Sequence, residues 1–595
     1  MKHLHFFLIT LLLSFASLHA QAVRFTPLNI SLGADADDVF IGQLLAREFG
    51  LNKDFSLQKT TERKSPTARY LTFDQSFDGK ALHDAGIKVC IDQQGKLLWA
   101  MDFLQKNINI PAGKPGWKFS EQAVRFRLLR QFGTLDVQLE RMYHVSSSDS
   151  KLTPIWRCWT FSHGQSESWE VLIHAETGVE LERSDRAAYH NHQTAGDTTG
   201  RARIWSPNPV TASGSPYGAL FADNNDMASS AFEPYIDTVV LEGLTYEGGL
   251  FKLEGPFVKI KDLSANIAPP VTSSNGDFFF TRDTSGWEDV IVYYHIDHFQ
   301  RYIQSLGFTN LWGEKPLNAD PHGRGNNDNS SFIPNGDNSS VGFGEGGVDD
   351  AEDADVVIHE YGHALSYAGS PNSNTGTERR GLDEGFGDYF AALYSFDKTA
   401  GGYGWSDIMN WDGHNPFWAG RYANKTDVYS ANMGNIYVIG ELWSSTMMEI
   451  RQQIGADTTD RLQFETLYGL VPGMSVADAA RLVIAADWMY YSGRHEQLLR
   501  NVFCSRQILT GSDCIVSANE TEIFPASWSV IAKGGDLHIF WLQEPAVWEA
   551  QLFDNQGKRL FNLSEKTSVS GLASGVYVVR MMVKGEMISA KKVVL

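Results

Sequence analysis

The sequence predicts a multidomain α+β chain: a β-rich N-terminal region, a central region with a β-rich lobe followed by an α-helical lobe, and a C-terminal β-sandwich. Three observations predict it. Residues 24 to 190 alternate strand-like runs with polar turns. In the second half of the central region, Val290 to Leu306, Val356 to Tyr367, Asp383 to Tyr394, Ile436 to Ile450 and Val476 to Met489 place apolar residues at helical spacing. The tail from 526 to 595 returns to short strand-like runs separated by turn signals.

Taken in order, the chain opens with Met-Lys-His-Leu-His, an apolar run from Phe6 to Leu13, and Ala20-Gln21-Ala22, which fits an A-x-A cleavage site. Residues 1–22 therefore read as a secretory signal, too short for a spanning helix. No later stretch is long and apolar enough to cross a bilayer, so the expected product is secreted or held at the cell surface by other means. Ala68 to Phe73, Ile87 to Ile91, Leu97 to Phe103 and Trp169 to His174 suggest an antiparallel sheet with a helix or two over 23–190. Ser184 to Gly200 is polar and holds no long apolar run; its core, 191–199, reads as a linker. The central region runs over 200–520, first strand-like and rich in Gly, Asn and Pro, then helical, with a cleft expected between its lobes. In the tail, 526–595, Leu537 to Trp541, Trp548 to Phe553, Gly575 to Val583 and Lys591 to Leu595 read as strands.

The chain has 595 residues, which suggests three or four folded units at roughly 100–200 residues each. At 43% hydrophobic and 20% charged it is ordinary globular protein. A net charge of -21 excludes nucleic acid as an expected partner, because phosphate binding needs a basic face. Export permits disulfides among the four cysteines. Cys504 and Cys514 lie in one segment and are expected to be bridged; Cys90 with Cys158 is a second candidate pair, and four buried thiols are the alternative.

The stretch Asp355-Val-Val-Ile-His359-Glu360-Tyr-Gly-His363 carries the chemistry. Residues i and i+4 lie one above the other on a helix face, so His359 and His363 present two imidazoles to one point, which suits Zn2+. Glu360 sits one step round, placed as a base for a water on the metal. Val356 to Ile358 lead into the motif, so the helix is expected to be buried, and a water-poor site strengthens a metal's pull on a carbonyl. Two histidines do not complete a zinc site. Glu384, expected at the opening of the next helix, is the candidate third ligand. Asp388 lies one turn further on the same face, placed to hold the spare N–H of a ligating histidine. Gly385 and Gly387 would let the two helices approach closely. Three protein ligands leave one position open for water, the mark of a catalytic metal site. The plainer alternatives are a helix with two satisfied histidines and a solvated acidic helix start.

The pairing of His359-Glu-x-x-His363 with Glu384-x-x-x-Asp388 resembles the gluzincin clan that includes thermolysin, and within it the fungalysin family. Gly200-Arg-Ala-Arg-Ile-Trp-Ser-Pro-Asn-Pro209, Val292-Tyr-Tyr-His-Ile-Asp-His298 and the Cys504 region extend the likeness over roughly 200–520. The resemblance implies a thermolysin-like zinc metallopeptidase domain. It implies zinc on His359, His363 and Glu384, Glu360 taking a proton from the attacking water and giving it to the leaving amine, and Asp388 orienting His359. It also implies that Asn329-Ser330-Ser-Phe332, followed by Gly342-Phe-Gly344, is an edge strand that pairs with an extended peptide; a polar loop is the alternative. The sequence departs from the family in one helix, which reads roughly Val-His-x-x-Gly-x-x-Trp there and Ile436-Tyr437-Val-Ile-Gly440-Glu-Leu-Trp443 here. Tyr437 stands where the family's His stabilises the oxyanion. A phenol can donate that hydrogen bond, and its donor does not titrate near neutrality. Simple packing is the alternative role. Asp383 stands where thermolysin-like enzymes often carry Asn, and the sequence assigns it no function.

The flanks resemble known segments as well. Residues 66–104, with Phe73-Asp-Gln-Ser-Phe-Asp-Gly79, and Trp169-Glu-Val-Leu-Ile-His-Ala-Glu-Thr-Gly178 are similar to the fungalysin/thermolysin propeptide. That implies that 23–190 assists folding and covers the cleft until it is removed near 186–200, with His190 and His192 incidental to the linker. Leu572-Ala-Ser-Gly575-Val-Tyr-Val-Val-Arg and Lys591-Lys-Val-Val-Leu595 resemble the C-terminal sorting domain of type IX secretion, which makes that machinery an expected partner. The expected whole is a secreted zinc endopeptidase made as a zymogen and acting on proteins or peptides. A narrow exopeptidase and a surface adhesin on an inactive scaffold are the alternatives. The clusters Asp349-Asp350-Ala-Glu352-Asp353 and Asn326 to Asn338 could take Ca2+, or be solvated loops.

Overall fold

The computed structural model describes residues 23–185, 198–514 and 528–594, apart from short stretches within them (33–35, 112–115, 133–136, 147–148, 162–167, 264–267, 314, 336–337, 415, 417, 431–432, 534–535, 542–547, 555–557, 565–567, 571, 574–575 and 584–585). The expected signal segment 1–22, most of the expected processing stretch with His190 and His192, and Gly575 and Leu595 lie outside the described residues.

The N-terminal residues build a nine-stranded sheet. Its central hairpin, Ala68–Phe77 with Lys80–Asp92, closes on Asp78-Gly79, both with positive φ (50° and 72°), the backbone that a two-residue hairpin turn requires. Alternation along these strands sorts side chains onto two faces. Leu71, Phe73, Val89 and Ile91 pack against helix α1 (Asp38–Glu48). Tyr70, Cys90, Trp99 and Met101 face the other way and join the core of the central region. The second half of the sheet packs under α2 (Glu121–Phe132), where Val124 and Leu128 meet Trp156, Cys158, Val171 and Ile173.

This arrangement overturns the Cys90–Cys158 pairing. Both are free and buried, and they sit in different cores on strands separated in the sheet by Val137–Val145. The polar stretch Ser184 to Gly200 is also shorter than expected as a linker, since Glu180–Asp185 and Thr198–Trp205 are strands.

The first half of the central region holds a five-stranded and a four-stranded sheet, the short helix α3 (Pro209–Ser213) and the largely buried α4 (Gly286–Ser305). The four-stranded sheet ends in an edge strand, Ser331–Ile333, paired antiparallel with Ser340–Gly342. The second half is helical: α5 (Ala354–Gly369), α6 (Thr377–Thr399), α7 (Ile436–Ile454), α8 (Ala456–Thr466), α9 (Val476–Tyr491) and α10 (Glu496–Ser505). Ser475 and Asp478 form a capping box that starts α9. Cys504 at the end of α10 is bridged to Cys514, with Cα atoms 5.8 Å apart. The tail forms two sheets, one of three strands and one of four. Among the described residues, no helix is long and apolar enough to cross a membrane.

Candidate metal centre

Helix α5 starts on Asp353, whose side chain accepts from the Asp355 amide at 3.0 Å. Val356, Val357 and Ile358 then bury one flank, which turns His359, Glu360 and His363 toward α6 and a cavity of ≈ 750 Å3. Helix α6 begins at Thr377, so Glu384 lies well inside it and not at its opening: the residues before it, including buried Arg379 and Gly381, already pack as helix. The two helices touch through glycines. A Cβ on Gly387 would lie 2.5 Å from His359 Nδ1, and one on Gly362 would lie 2.8 Å from the Cα of Gly387. Gly385 serves another neighbour, since its Cβ would meet that of Trp443 on α7 at 2.8 Å.

Ligand atoms of His359, His363 and Glu384 lie within 4.8 Å of one another, and His359 Nε2 is 3.5 Å from Glu384 Oε2. The two imidazoles stand edge to face at 89°. Each has a carboxylate behind it. Asp388 Oδ1 lies 2.9 Å from His359 Nδ1, and Asp383 Oδ2 lies 2.8 Å from His363 Nδ1. Asp383 also accepts from Arg379 at 3.0 Å, from Asn374 at 3.0 Å and from the Ser366 hydroxyl. Arg421, from the strand Arg421–Tyr422, donates to Glu384 at 3.0 Å and approaches Asp388 at 3.2 Å. Asp383 and Arg421 are the parts that sequence reasoning missed. The nearest signal was Asp383 itself, an acid where an amide is usual; nothing marked Arg421.

Burial opposes charge on Asp383 and Glu384, yet their charged partners hold both carboxyls below the usual range. Burial alone would raise Asp383, but Arg379, His363 and Ser366 hold it at about 2. Burial would raise Glu384 too, and His359, His363 and Arg421 carry it far below the usual range. His363 shows the converse: burial would lower it, while Asp383, Glu384 and Glu360 raise it to about 10. The pocket therefore concentrates negative charge around two imidazoles. Glu360 Oε2 is buried without a hydrogen-bond partner. Two imidazoles and one carboxylate, with a further carboxylate poised beside them, fit a zinc ion with one open position.

Tyr437 is the second residue of α7, 51% exposed, on the wall of the same cavity. Its ring centre is 5.3 Å from the Arg421 guanidinium. Asn329 and Ser330 line the cavity as well, with the Ser330 hydroxyl donating to Asp350. The N-terminal sheet completes the wall through Asp84, Glu182 and Arg183.

Known proteins resemble parts of this chain. A 233-residue stretch is 25% identical to Extracellular metalloproteinase 1 of Phaeosphaeria nodorum, covering 32% of this chain; the chain spans only 36% of that protein's length. Among solved structures, the precursor of protealysin, a metalloproteinase from Serratia proteamaculans, aligns with a TM-score of 0.32 at 13% identity, over 42% of this chain and 85% of that one. The C-terminal domain of YpeB from Bacillus megaterium aligns with a TM-score of 0.17 at 15% identity, over 26% and 68%. Residues 345–511, the segment that carries His359, Glu360, His363, Glu384 and Asp388, match the family of fungalysin metallopeptidases (M36).

Proposed function

We propose that this chain is a secreted zinc endopeptidase of the gluzincin type, made as a latent precursor. The observation that carries the reading is the convergence of His359, His363 and Glu384 beside a buried, unpartnered carboxylate oxygen of Glu360. A zinc ion there would supply Lewis acidity, making a water more acidic and polarising the scissile carbonyl. Glu360 accepts the proton of the attacking water and hands it to the leaving amine. Asp383 holds the Nδ1 proton of His363, which fixes the tautomer that leaves Nε2 free, and Asp388 sets a carboxylate charge beside Nδ1 of His359 that favours the same tautomer there. Arg421 offsets the charge of Glu384 and Asp388 and holds both in place. Tyr437 offers its hydroxyl to the developing oxyanion. The edge strand beginning after Asn329 and Ser330 lends its backbone to an extended peptide, with selectivity left to the pockets around it.

Latency rests on Asp84, Glu182 and Arg183, which share the cavity wall with the metal-binding residues. Residues 23–190 thus act as a prosegment, removed between 186 and 200. Residues 1–22 direct export, and 526–595 engage the type IX secretion machinery for release or surface attachment.

Casein hydrolysis by the processed, zinc-loaded wild type and by Glu360→Gln tests the reading. The expected result is activity in the first and a loss of about 10³-fold in the second, the scale of a missing general base. No activity in either, with zinc bound and the prosegment removed, would leave a binding scaffold in its place.

A further inference from the structure

Three carboxylates outside the machinery above meet beside the cleft. Asp328, Asp350 and Asp412 offer oxygens that all lie within 4.8 Å of one another. They come from separate parts of the chain: Asp328 from the loop before the edge strand, Asp350 from the turn Asp350–Glu352 ahead of α5, and Asp412 from the segment between α6 and α7. Among the described residues, no lysine or arginine nitrogen lies within ion-pair distance of Asp328 or Asp350.

Asp350 is the telling member. It is 2% exposed. Its Oδ2 accepts from the Ser330 hydroxyl and, at 3.4 Å, from the Gly344 amide. Its Oδ1 is buried and has no hydrogen-bond partner. A buried carboxylate oxygen left unpaired among other carboxylates is costly unless a cation or a proton completes it. The strain shows in the acidities. Burial, with Asp328 and Glu360 adding to it, pushes the Asp350 carboxyl up to about 7 against its two hydrogen bonds. Burial, then Asp350, Asp353 and Asp328, raise Asp412 well above its usual range.

The fold keeps these groups together against that repulsion. The Gly346 amide donates to Asn327 O at 3.1 Å, and a Cβ on Gly344 would lie 1.9 Å from the same oxygen. The backbone on either side of Asp328 is thus pressed against the strand leading to Asp350, and Asp328 cannot move away as a free loop would.

We propose that Asp328, Asp350 and Asp412 bind a divalent cation, Ca2+ by preference, at a site separate from the candidate zinc centre. The donor set decides the class. All-oxygen carboxylate ligands suit a hard cation, and an irregular cluster drawn from three segments suits the flexible coordination of Ca2+ better than the octahedron that Mg2+ demands. Zinc is better served by the imidazoles of the neighbouring site. The ion fastens the approach to the edge strand and the 412 segment onto the N-terminal approach of α5. The proposal stands whether or not the chain is a peptidase.

The test is calorimetric titration of CaCl2 into the full chain, stripped with EDTA and reloaded with zinc, together with thermal melts. The expected result is one Ca2+ per chain, lost in Asp350→Asn and weakened at least about tenfold in Asp328→Asn, since affinity follows the count of charged ligands. In EDTA, Asp350→Asn should melt at or above the wild-type temperature, because the repulsion is gone, and Ca2+ should no longer raise it. His359→Ala should still bind Ca2+. If Asp350→Asn does not fold, Asp328→Asn decides, because Asp328 is exposed. No Ca2+ bound by the wild type at millimolar concentration, unchanged affinity in Asp328→Asn, or loss of binding in His359→Ala would each overturn the site.

Discussion

Glu465→Met should release the N-terminal sheet from the helical lobe. Glu465 lies on α8 and is almost fully buried. Its Oε1 accepts from Ser65 Oγ at 2.5 Å, Thr67 Oγ1 at 2.9 Å and the Tyr70 hydroxyl at 2.6 Å; its Oε2 accepts from Tyr490 at 2.8 Å. Three of the four donors belong to one short segment of the N-terminal region. Methionine keeps the volume and removes every acceptor. Hydrogen bonds to a charged group are worth about 1.5–3 kcal/mol each. The variant is also relieved of a buried carboxylate, and neighbouring bonds are not additive, so a net cost near the bottom of that range is the right scale, about 4 kcal/mol for the three. At about 1.4 kcal/mol per factor of ten, the undocked fraction should rise about 10³-fold. Cys90 reports it. Its thiol is buried in the shared core, 3.8 Å from Met489 Sδ, and burial raises its pKa well above the usual range, so it is inert while docked. Cys158 sits in the N-terminal region's own core and is the internal control. Iodoacetamide labelling followed by peptide mass spectrometry, in a Glu360→Gln background to suppress self-cleavage, should show Cys90 reacting about 10³-fold faster and Cys158 unchanged. A Cys90 rate within about threefold of the parent would refute the docking argument. So would equal acceleration of both thiols, which signals global unfolding.

Further outcomes follow from the metal centre and the sheet. Tyr437→Phe should lower kcat/KM by about 10²-fold, the lower end of what an oxyanion donor contributes; a change within about twofold in steady-state assays would remove Tyr437 from the mechanism. Asp383→Ala and Asp388→Ala should each weaken zinc about 10–100-fold in chelator competition, because each carboxylate steadies one ligand imidazole; unchanged affinity in Asp383→Ala would make that residue a packing partner only. Asp74 gives a pH signature. Burial raises its carboxyl to about 6, against the Thr60 hydroxyl bond, so the folded state holds this proton more tightly than the unfolded chain does. The resulting stability is full below the unfolded pKa of about 4 and is lost as pH rises through 6, a total of roughly 3 kcal/mol. Urea melts should show Asp74→Asn flattening that decline between pH 4 and pH 7, and an equal slope in both proteins would contradict the assignment.

How much of this was legible in the sequence depends on where the information lies. The helices of the candidate metal centre were readable because His359 and His363, and likewise Glu384 and Asp388, stand at i, i+4 on helices whose other flank is apolar. Glu384 reads as the opening of a helix that in fact begins seven residues earlier, since Thr377 to Asp383 is polar and looks like a loop, while in the fold Arg379 and Asp383 are buried and neutralise each other. Helix α8 escaped notice for a similar reason: Thr459, Asp460, Gln463, Glu465 and Thr466 are all buried, so it shows no apolar stripe. Asp460 accepts from Arg451 nearby and from Tyr302 and Tyr389, which are distant in sequence. Arg421 was invisible because its significance lies in contacts across the chain and in no local pattern. The Cys90–Cys158 pairing failed because strand order, which sequence periodicity does not encode, puts a strand between them.

The contact of Gly362 with Gly387 has one more consequence. Where helices meet through side chains, their spacing adapts as rotamers shift and neighbours are exchanged. Here main chain rests on main chain, so the gap between the two-imidazole arm and the carboxylate arm is a fixed gauge, set by atomic radii. An ion arriving at the candidate site would find a chelate already cut to size. The cost of ordering the candidate ligands is met when the protein folds, so selectivity among ions there would be governed by fit to a rigid frame. Position 387 offers no donor atom, yet it belongs to the candidate metal site as firmly as the histidine it touches.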